Sequence, residues 1–379
     1  MWISLVLASA LMQQPSSGPV NLSTKVVDAI NHNYLYADND SWRHLRADLL
    51  RDAGATVSSL DQQLAKLHDG DLRIVTSQQM AAMQAETDGN EHGIGLVDFA
   101  VTVEPITGDA KVVTPLVISP AFKAGVRPGD LIVSINGHPT RGLIHEDVMA
   151  MLRGSSGEVD LAIRRNNRST RMRVSKEAWV EQAVESHSFV VGEQKLGYIS
   201  IRLFTSHSGE GVREAVDALA VKGIGKCVVD LRNNPGGYLD AMAIAGGAFT
   251  DKTLGWKVRR DGTKEPIHAN GKPPVAMQLV VLVNEGTASA AEVLAAGLRD
   301  TTGARLVGER TYGRGQVQTY VSLNDSAGIV IPAASVESVK GIRFNNGSGL
   351  FPDVAVDSPE GAQYSDAAYQ KALELLMHR

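Results

Sequence analysis

The apolar positions near the start of the chain recur at helical spacing. Val26, Val27 and Ile30 lie about one turn apart, and the same spacing returns further along. Because apolar residues three or four positions apart share one face of a helix, residues 19–83 are predicted to form a small helical region. Gly and Asp interrupt this pattern, and the apolar run 72–75 that follows them predicts one short extended segment.

A different pattern fills residues 84–176. Short apolar runs alternate there with Gly and Pro, and the stretch 144–152 has helical spacing, which predicts a small strand-rich module. Over residues 177–379 strand-like runs alternate with helical segments, and this alternation favours an α/β core with a largely parallel sheet. The predicted elements are strands 196–201, 227–231, 278–283 and 304–307, and helices 209–221, 239–249, 289–300 and 367–376.

Length and charge narrow the classes of function. With 379 residues and 43% hydrophobic content, the chain can bury more than one core, because single domains usually stop growing near ~250 residues. The net charge is -5 and Lys and Arg are scattered, so nucleic acid and anionic membranes are not expected as partners. The single cysteine, Cys227, lies in an apolar run that predicts a buried, inert thiol. No Cys/His spacing is typical of zinc, and neither a metal nor a cofactor is predicted.

The first residues predict export. Met1 to Met12 are apolar and contain Ala8-Ser-Ala10, a small-x-small pattern like those that precede signal-peptidase cleavage. The run is short and no Lys or Arg precedes it, which leaves a cytoplasmic chain as the alternative. It is also shorter than the ~20 residues that span a bilayer. A signal segment over residues 1–18, a periplasmic or other extracytoplasmic location, and no stable membrane span are therefore predicted.

Three motifs in the middle module resemble a PDZ domain in order and spacing. They are Gly93-Ile-Gly-Leu96, the segment 119–126 and the segment 127–137, and they lie within residues 84–176. Backbone amides of a Gly-x-Gly loop can hold a carboxylate while the adjacent sheet edge accepts a peptide as an added strand. The resemblance implies that protein C-terminal tails are bound, and the alternative is that the glycines serve only tight turns. The implied peptide-binding residues are Gly93, Ile94, Gly95 and Leu96.

Two strand-to-helix junctions carry residues suited to catalysis. Asp230-Leu-Arg-Asn-Asn-Pro-Gly-Gly237 follows one predicted strand and Thr287-Ala-Ser-Ala-Ala-Glu292 follows another. Active sites of open α/β sheets gather at such strand ends. Adjacent glycines let amides point outward, as a developing oxyanion requires, although a Pro-Gly-Gly bend is more often only a turn. Ser289 falls where a helix begins, so its hydroxyl is either an N-cap or a nucleophile beside the partially positive helix end.

Together the two junctions resemble the core of carboxyl-terminal processing, or tail-specific, serine peptidases. The resemblance continues through the segments 308–315 and 349–353 and extends over most of the chain. It implies a core of the crotonase and Clp type over residues 177–379, with an inserted PDZ domain and a helical N-terminal region. The implied roles are nucleophile for Ser289, oxyanion-hole amides for Ala290 and for Gly236 or Gly237, and polar support for Gln318.

The chain departs from the family at one position. Family members carry a lysine where this sequence has Arg314. A lysine can act as general base because desolvation lowers its pKa from about 10.4 toward neutrality. A guanidinium stays charged and has no acceptor lone pair. Arg314 can bind an oxyanion or a carboxylate, but it is a poor acceptor for the serine proton.

Other side chains are candidates for the base. Glu292 lies one helical turn from Ser289, although a carboxylate there is more often a favourable charge at a helix N-terminus. A related branch of the superfamily uses histidine as base, which keeps His268 and His92 as weak candidates. Further histidines, all more typical of surface or loop positions, are His138, His187 and His207.

The sequence therefore predicts a serine endopeptidase that cleaves proteins recruited through their C-terminal tails. The change to Arg314 motivates a second hypothesis, a catalytically silent relative that binds peptides as an adaptor or regulator. A third is a crotonase-like acyl-thioester enzyme, because glycine-rich strand ends suit that chemistry too. The predicted PDZ insertion and the Ser289 motif argue against the third hypothesis.

Overall fold

A computed structural model describes residues 21–356 and 367–378, apart from residues 53, 68, 98–99, 105, 118, 155 and 345–347 and the side chains of residues 91, 92 and 179. The predicted signal segment, residues 1–18, lies outside the described residues. Within them, the helices lack the length and apolar character that a bilayer crossing requires.

The N-terminal region is helical, as predicted. Asn21 and Asn39 cap its first two helices, because each side chain accepts a hydrogen bond from a first-turn backbone N–H. The predicted extended segment is present as strand β1, which pairs antiparallel with a strand near the end of the chain. Its elements are α1 (Leu22–Asn33), α2 (Asp40–Arg51), α3 (Val57–Leu64), a 3₁₀ turn (Ala65–Leu67), β1 (Arg73–Thr76) and α4 (Ser77–Thr87).

The middle unit is strand-rich, also as predicted. Its six-stranded sheet has the order β3-β4-β5-β7-β8 with β6 beside β5, and a separate ribbon of β2 and β9 joins the unit to its neighbours. The elements are β2 (Asn90–Gly93), β3 (Val101–Val103), β4 (Ala110–Val112), α5 (Pro120–Lys123), β5 (Leu131–Ile135), β6 (His138–Pro139), α6 (His145–Leu152), β7 (Glu158–Arg165), β8 (Arg168–Ser175) and β9 (Glu177–Val180).

The rest of the chain is an α/β core built on a six-stranded sheet of order β10-β11-β12-β15-β16-β19. All neighbouring strands of this sheet from β11 onward are parallel. The elements are β10 (Val184–Val191), β11 (Gln194–Ile201), α7 (Ser208–Val221), β12 (Lys226–Asp230), α8 (Leu239–Gly247), β13 (Thr253–Val258), β14 (Lys264–His268), β15 (Gln278–Val283), α9 (Ala290–Thr302), β16 (Arg305–Gly308), β17 (Gln316–Asn324), β18 (Ala327–Ser338), β19 (Val354–Ala355) and α10 (Ala367–Met377).

Both faces of the central sheet are buried, which explains why its strands are continuously apolar. Val229 and Val281 face α7, α8 and α9, whereas Val228 and Val280 face α10. Cys227 belongs to the first of these clusters, is completely buried, and burial raises the pKa of its thiol. The prediction of a buried strand thiol is confirmed.

A second sheet was not predicted from the sequence. It has the order β1-β18-β13-β14, with β17 paired to β18. Ile74 of β1 stands opposite Ile329 of β18, and both belong to the apolar core of the N-terminal helices. This sheet therefore joins the N-terminal region to the core, although the two are far apart in the chain.

Parallel pairing determines where the chemistry of the core collects. Strands β12 and β15 are neighbours, so the segments that leave their carboxyl ends start side by side. The first segment contains the Pro-Gly-Gly bend and the second contains Ser289. Thr287 fastens one segment to the other, because its hydroxyl donates to the Leu231 carbonyl oxygen at 2.8 Å.

Candidate active site

Ser289 occupies a strained turn between β15 and α9. Its φ of 56° and ψ of -123° are rare for a residue with a side chain and cost free energy. The helix therefore begins at Ala290, one residue later than predicted. Ser289 is half-buried and borders a cavity. Strain of this kind is typical of functional turns, and residues 287–290 are called the Ser289 turn below.

The Pro-Gly-Gly bend packs directly against that turn. A Cβ atom on Gly236 would come within 2.8 Å of the Ser289 Cβ, and one on Gly237 within 2.3 Å of the Phe204 carbonyl oxygen. Both glycines also have positive φ, 111° and 122°. Only glycine satisfies both conditions without displacement of the backbone. The adjacent glycines are therefore required by the close approach of two strand ends.

The two glycine amides differ. The Gly236 N–H donates to the Asn234 side-chain oxygen at 2.8 Å, so it is already engaged. The amides of Gly237 and Ala290 have no acceptor within the described part of the chain, and both residues border the same cavity as Ser289. Of the alternatives Gly236 and Gly237, Gly237 is therefore the one whose N–H is open beside that of Ala290 in the described residues. Asn234, which sequence reasoning missed, directs this choice.

The cavity beside Ser289, called the first cavity below, has a volume of about 150 Å³. One wall comes from α4 of the N-terminal region, and the others come from the Pro-Gly-Gly bend, α9 and β17. Arg314 and Gln318 border it as well. Its remaining lining is mainly apolar or amide-bearing: Met80, Met83, Gln84, Thr87, Pro235, Tyr238, Leu239, Val293, Gln316, Val317 and Val336.

Glu292 is not arranged as a base for Ser289. Its side chain is completely buried, and each carboxylate oxygen accepts two hydrogen bonds. One oxygen accepts from Thr311 Oγ1 at 2.5 Å and Gly313 N–H at 2.8 Å, and the other from Ser289 N–H at 3.0 Å and Arg314 N–H at 2.8 Å. Burial raises the pKa of Glu292 to about 7, while these donors lower it. The carboxylate thus ties the Ser289 turn to residues 311–315, called the Arg314 loop below.

The Arg314 side chain is held by a residue that sequence reasoning missed. Its Nη2 atom donates to Asp71 Oδ1 at 2.5 Å, and Gln318 Nε2 donates to the same oxygen at 2.8 Å. Asp71 lies just before β1, in the turn that the sequence marked only as an interruption of the helical pattern. Arg314 and Gln318 are therefore brought together, by a carboxylate of the N-terminal region.

Histidine does not border the first cavity in the part of the chain that the structure describes. His268 contacts Thr253 at 3.1 Å on the exposed strand β14, and His187 stacks on Tyr198. His138 is exposed, His207 contacts Ser206, and the His92 side chain lies outside the described residues.

Among the described residues, His, Cys, Asp and Glu side chains form no group of three or more that is suited to a metal ion.

The predicted peptide-binding loop lies between β2 and β3. The side chains of Ile94 and Leu96 are buried, and the carbonyl oxygens of Ile94 and Gly95 accept hydrogen bonds from Ala121 and Leu116 at 2.8 and 2.9 Å. Gly93 forms a bridge with Arg153 at the end of α6. Strand β3 is the edge strand of its sheet in the described residues, so the loop leads to a sheet edge.

Comparison with known proteins identifies both units. The sequence pattern of peptidase family S41 matches residues 195–356, and that of the PDZ domain matches residues 110–164. The chain is similar to the carboxyl-terminal-processing protease of Synechocystis sp., with 34% identity over 92% of this chain and 84% of the relative. It is also similar to the carboxy-terminal processing protease CtpA of Bacillus subtilis, with 29% identity over 90% and 71% of the two chains.

The fold agrees with these relatives. The solved structure of a photosystem II D1 C-terminal processing protease matches with a TM-score of 0.79 and 28% identity, over 90% of this chain and 94% of the other. A mixed α/β peptidase core with a PDZ domain and a helical N-terminal region is confirmed. Because the relatives are named as proteases, the adaptor alternative is not favoured. The chain belongs to the carboxyl-terminal processing proteases of serine peptidase family S41.

Proposed function

We propose that this chain hydrolyses peptide bonds near protein C-termini through Ser289, despite the arginine at the position of the family lysine. The observation that carries the proposal is the strained Ser289 turn, which borders a cavity together with the open amides of Gly237 and Ala290. Two N–H groups that converge where charge develops are the usual stabiliser of a tetrahedral acyl-transfer intermediate.

The proposed reaction proceeds in two steps. Ser289 Oγ bonds to the scissile carbonyl carbon, the C–N bond breaks, and the amine leaves with a proton. Water then attacks the acyl-enzyme, releases the new carboxylate and returns the proton to Oγ. The amides of Gly237 and Ala290 bind the carbonyl oxygen while it carries negative charge. Arg314 cannot accept the Ser289 proton, so we expect slow turnover, below that of a variant with a lysine base.

The first cavity supports an apolar residue on the acyl side of the scissile bond. Met80 and Met83 of α4 line this cavity together with Leu239 and Val293. An apolar substrate side chain would bury surface there. A carboxylate would lose its hydration, and the Arg314 guanidinium that borders the cavity is already paired with Asp71. Peptides with Ala or Leu at that position should therefore be cleaved in preference to peptides with Asp, as measured by competition in one reaction.

Recruitment of the substrate is assigned to the predicted PDZ loop. The positive φ of Gly95, 83°, and the edge position of β3 support a carboxylate held by the loop and a tail added as a strand. The matched experiment compares one peptide with a free C-terminus and the same peptide as C-terminal amide. The amide should bind more weakly, and equal binding of the two would refute carboxylate recognition.

The central experiment treats the native chain and the variants Ser289→Ala and Arg314→Lys with a serine-reactive phosphonate. Labelling of the native chain that is lost in Ser289→Ala supports an activated nucleophile. Arg314→Lys should cleave unstructured protein faster than the native chain, and the gain should reach the usual contribution of a general base, about 10²–10⁴-fold, only at a pH where the lysine is neutral.

Other results have distinct meanings. Cleavage that appears only in Arg314→Lys would make the native chain a silent relative, as in the adaptor alternative. Absence of labelling and cleavage in both proteins would overturn the proposed role of Ser289. Thermal unfolding of each protein, followed by circular dichroism, checks that the comparison is made between folded chains.

We also propose that the protein is exported. The apolar start and Ala8-Ser-Ala10 support this proposal. Expression of the full chain, fractionation and N-terminal sequencing should yield a species cleaved before about residue 19 and outside the cytoplasm. An intact N-terminus in the cytoplasm would support the alternative location.

A further inference from the structure

A chain of polar contacts from the N-terminal region ends on Arg314. Tyr34 Oη donates to Asp69 at 2.9 Å, and the Asp71 N–H donates to Asp69 at 3.1 Å. Asp71 then accepts from Arg314 at 2.5 Å and from Gln318 at 2.8 Å. Asp71 and Arg314 are 243 positions apart in the chain. The position of the guanidinium is therefore determined by tertiary contacts rather than by its own loop alone.

The pair is largely shielded from solvent. The side chains of Arg314 and Asp71 are 12% and 15% exposed, so their attraction is screened less than that of a surface ion pair. Arg314 borders both the first cavity and a second cavity of about 760 Å³, which lies between the PDZ domain and the core. Asp71 borders the second cavity. The ion pair thus holds the guanidinium at the wall that separates the two spaces.

We infer that Asp71 is a positioning residue of the active site, which fixes the Arg314 guanidinium and would hold a lysine at that position in its protonated form. The inference rests on the proposed function for the identity of the site. Asp71 acts through residue 314 and is not proposed to touch substrate. Its carboxylate has the consequence that a lysine at position 314 would be mostly protonated at neutral pH, and therefore seldom able to accept a proton, as long as Asp71 is present.

The reason is electrostatic. A carboxylate within a few ångströms favours the protonated form of an amine and raises its pKa, by about 1–3 units for close pairs. Only the neutral amine can accept the Ser289 proton. Besides Asp71, the described titratable groups nearest position 314 include Asp69, Tyr312 and Glu292. The second cavity adds further charged and titratable groups, and the substitution of Asp71 leaves all of these side chains in place: Tyr36, Glu104, Lys111, Glu285 and Arg310.

The test compares Arg314→Lys with the double variant Arg314→Lys/Asp71→Asn. Asn has the shape of Asp and still offers an oxygen to Gln318. The first measurement is the pH dependence of acetylation of the introduced lysine by acetic anhydride, read by mass spectrometry of its peptide. The midpoint should fall by about 1–3 pH units in the double variant. This readout does not require peptidase activity.

The second measurement is the pH dependence of phosphonate labelling at Ser289. Labelling should rise through the lysine pKa, because the neutral amine is the base. Its midpoint should move to lower pH in the double variant by the same amount as the acetylation midpoint. Labelling at neutral pH should then be about tenfold faster for each pH unit by which the midpoint falls.

Matched variants make the outcome decisive. Arg314→Lys/Asp71→Glu retains the negative charge and should keep the high midpoint, whereas Arg314→Lys/Asp71→Ser provides a second neutral variant. Arg314→Lys/Glu104→Gln removes a charge from another wall of the second cavity and should leave the midpoint near that of Arg314→Lys. The inference would be overturned if neither Asp71→Asn nor Asp71→Ser shifted the acetylation profile of Arg314→Lys. A lowered acetylation midpoint without labelling in any protein would support Asp71 and count against Ser289.

Discussion

The Ser289 turn and the Arg314 loop form two sides of one site but are built by different means. The Ser289 turn is set by its own strand end and by the neighbouring Pro-Gly-Gly bend, where sterics allow little variation. The Arg314 loop takes its side-chain position from Asp71, a residue of another region. The side proposed to bind the oxyanion is therefore determined by the two neighbouring strand ends, whereas the side that holds Arg314 depends on contacts with the N-terminal region.

Glu292 joins the two sides. It accepts from the backbone of Ser289 and of Arg314 through one oxygen, and from Thr311 and Gly313 through the other. A completely buried carboxylate is costly unless its hydrogen bonds are satisfied, and here each oxygen has two donors. We therefore expect a displacement of the Arg314 loop to disturb the Ser289 turn through these hydrogen bonds.

The largest effect is expected from Gly237→Ala. The new methyl group would meet the Phe204 carbonyl oxygen at 2.3 Å, so the amide that faces the cavity must turn away. Loss of one oxyanion donor lowers kcat by about 10²–10³-fold. The measurement is the rate at which Arg314→Lys and the double variant Arg314→Lys/Gly237→Ala cleave an unstructured protein.

Gly262→Ala is the matched control for this effect. Gly262 also has positive φ, 82°, but open space surrounds its Cβ position. It should lose stability through backbone strain and keep its cleavage rate. Equal losses of activity in the two variants would mean that general destabilisation, not the oxyanion hole, explains the effect of Gly237→Ala.

Glu292→Gln should damage both sides together. The amide nitrogen would face backbone N–H groups that now donate to a carboxylate oxygen, which leaves buried donors unsatisfied at about 1–3 kcal/mol each. We expect a loss of about 2–4 kcal/mol in the free energy of unfolding, measured by urea titration, together with slower phosphonate labelling. Labelling at the native rate in this variant would contradict the tie between turn and loop.

The buried Glu292 carboxyl should also make the stability of the protein depend on pH. Burial raises its pKa from 4.5 in the reference state to about 7, so between these values the folded chain binds more protons than the unfolded chain. Stability should fall as pH rises from 5 to 8, by about 2–3 kcal/mol from this group. The free energy of unfolding of Glu292→Gln should change less over that range. A parallel dependence in both proteins would assign it to other groups, such as Glu181, whose pKa is also raised to about 7.

The smallest effect is expected from Gln318→Ala. This change removes one donor to Asp71 and leaves the Arg314 contact in place. A single hydrogen bond to a charged group contributes about 1.5–3 kcal/mol when well shielded, and half-exposure of Gln318 reduces this. We expect a loss below about 1.5 kcal/mol in urea unfolding. A loss of stability equal to or larger than that of Glu292→Gln would contradict the expected ranking of the two residues.

Much of the core was predictable from the chain because its signals are local. The apolar run 278–283 coincides with β15, and the helices expected at 209–221 and 367–376 are present within one residue at either end. The junctions at strand ends follow from parallel pairing, which short apolar runs and intervening helices indicate. The proximity of Ser289 to the glycine bend could therefore be predicted.

The remaining features depend on contacts that periodicity does not encode. The sheet that pairs β1 with β18 joins segments more than half the chain apart, and no local pattern specifies such a pairing. The hydrogen bond from the Gly236 N–H to the Asn234 side chain and the four hydrogen bonds to Glu292 depend on side-chain geometry at the junctions. In the sequence Asp71 indicates only a turn, because no neighbouring residue indicates its contact with Arg314.

Cys227 is a native probe for opening of the central sheet. The thiol is completely buried in the parallel sheet, and it is the single cysteine of the chain. A chromogenic disulfide reagent should consequently react only with molecules whose central sheet has opened. The rate of colour release would then report how often that sheet opens, without any introduced label, under every condition in which substrate or tail peptides are added.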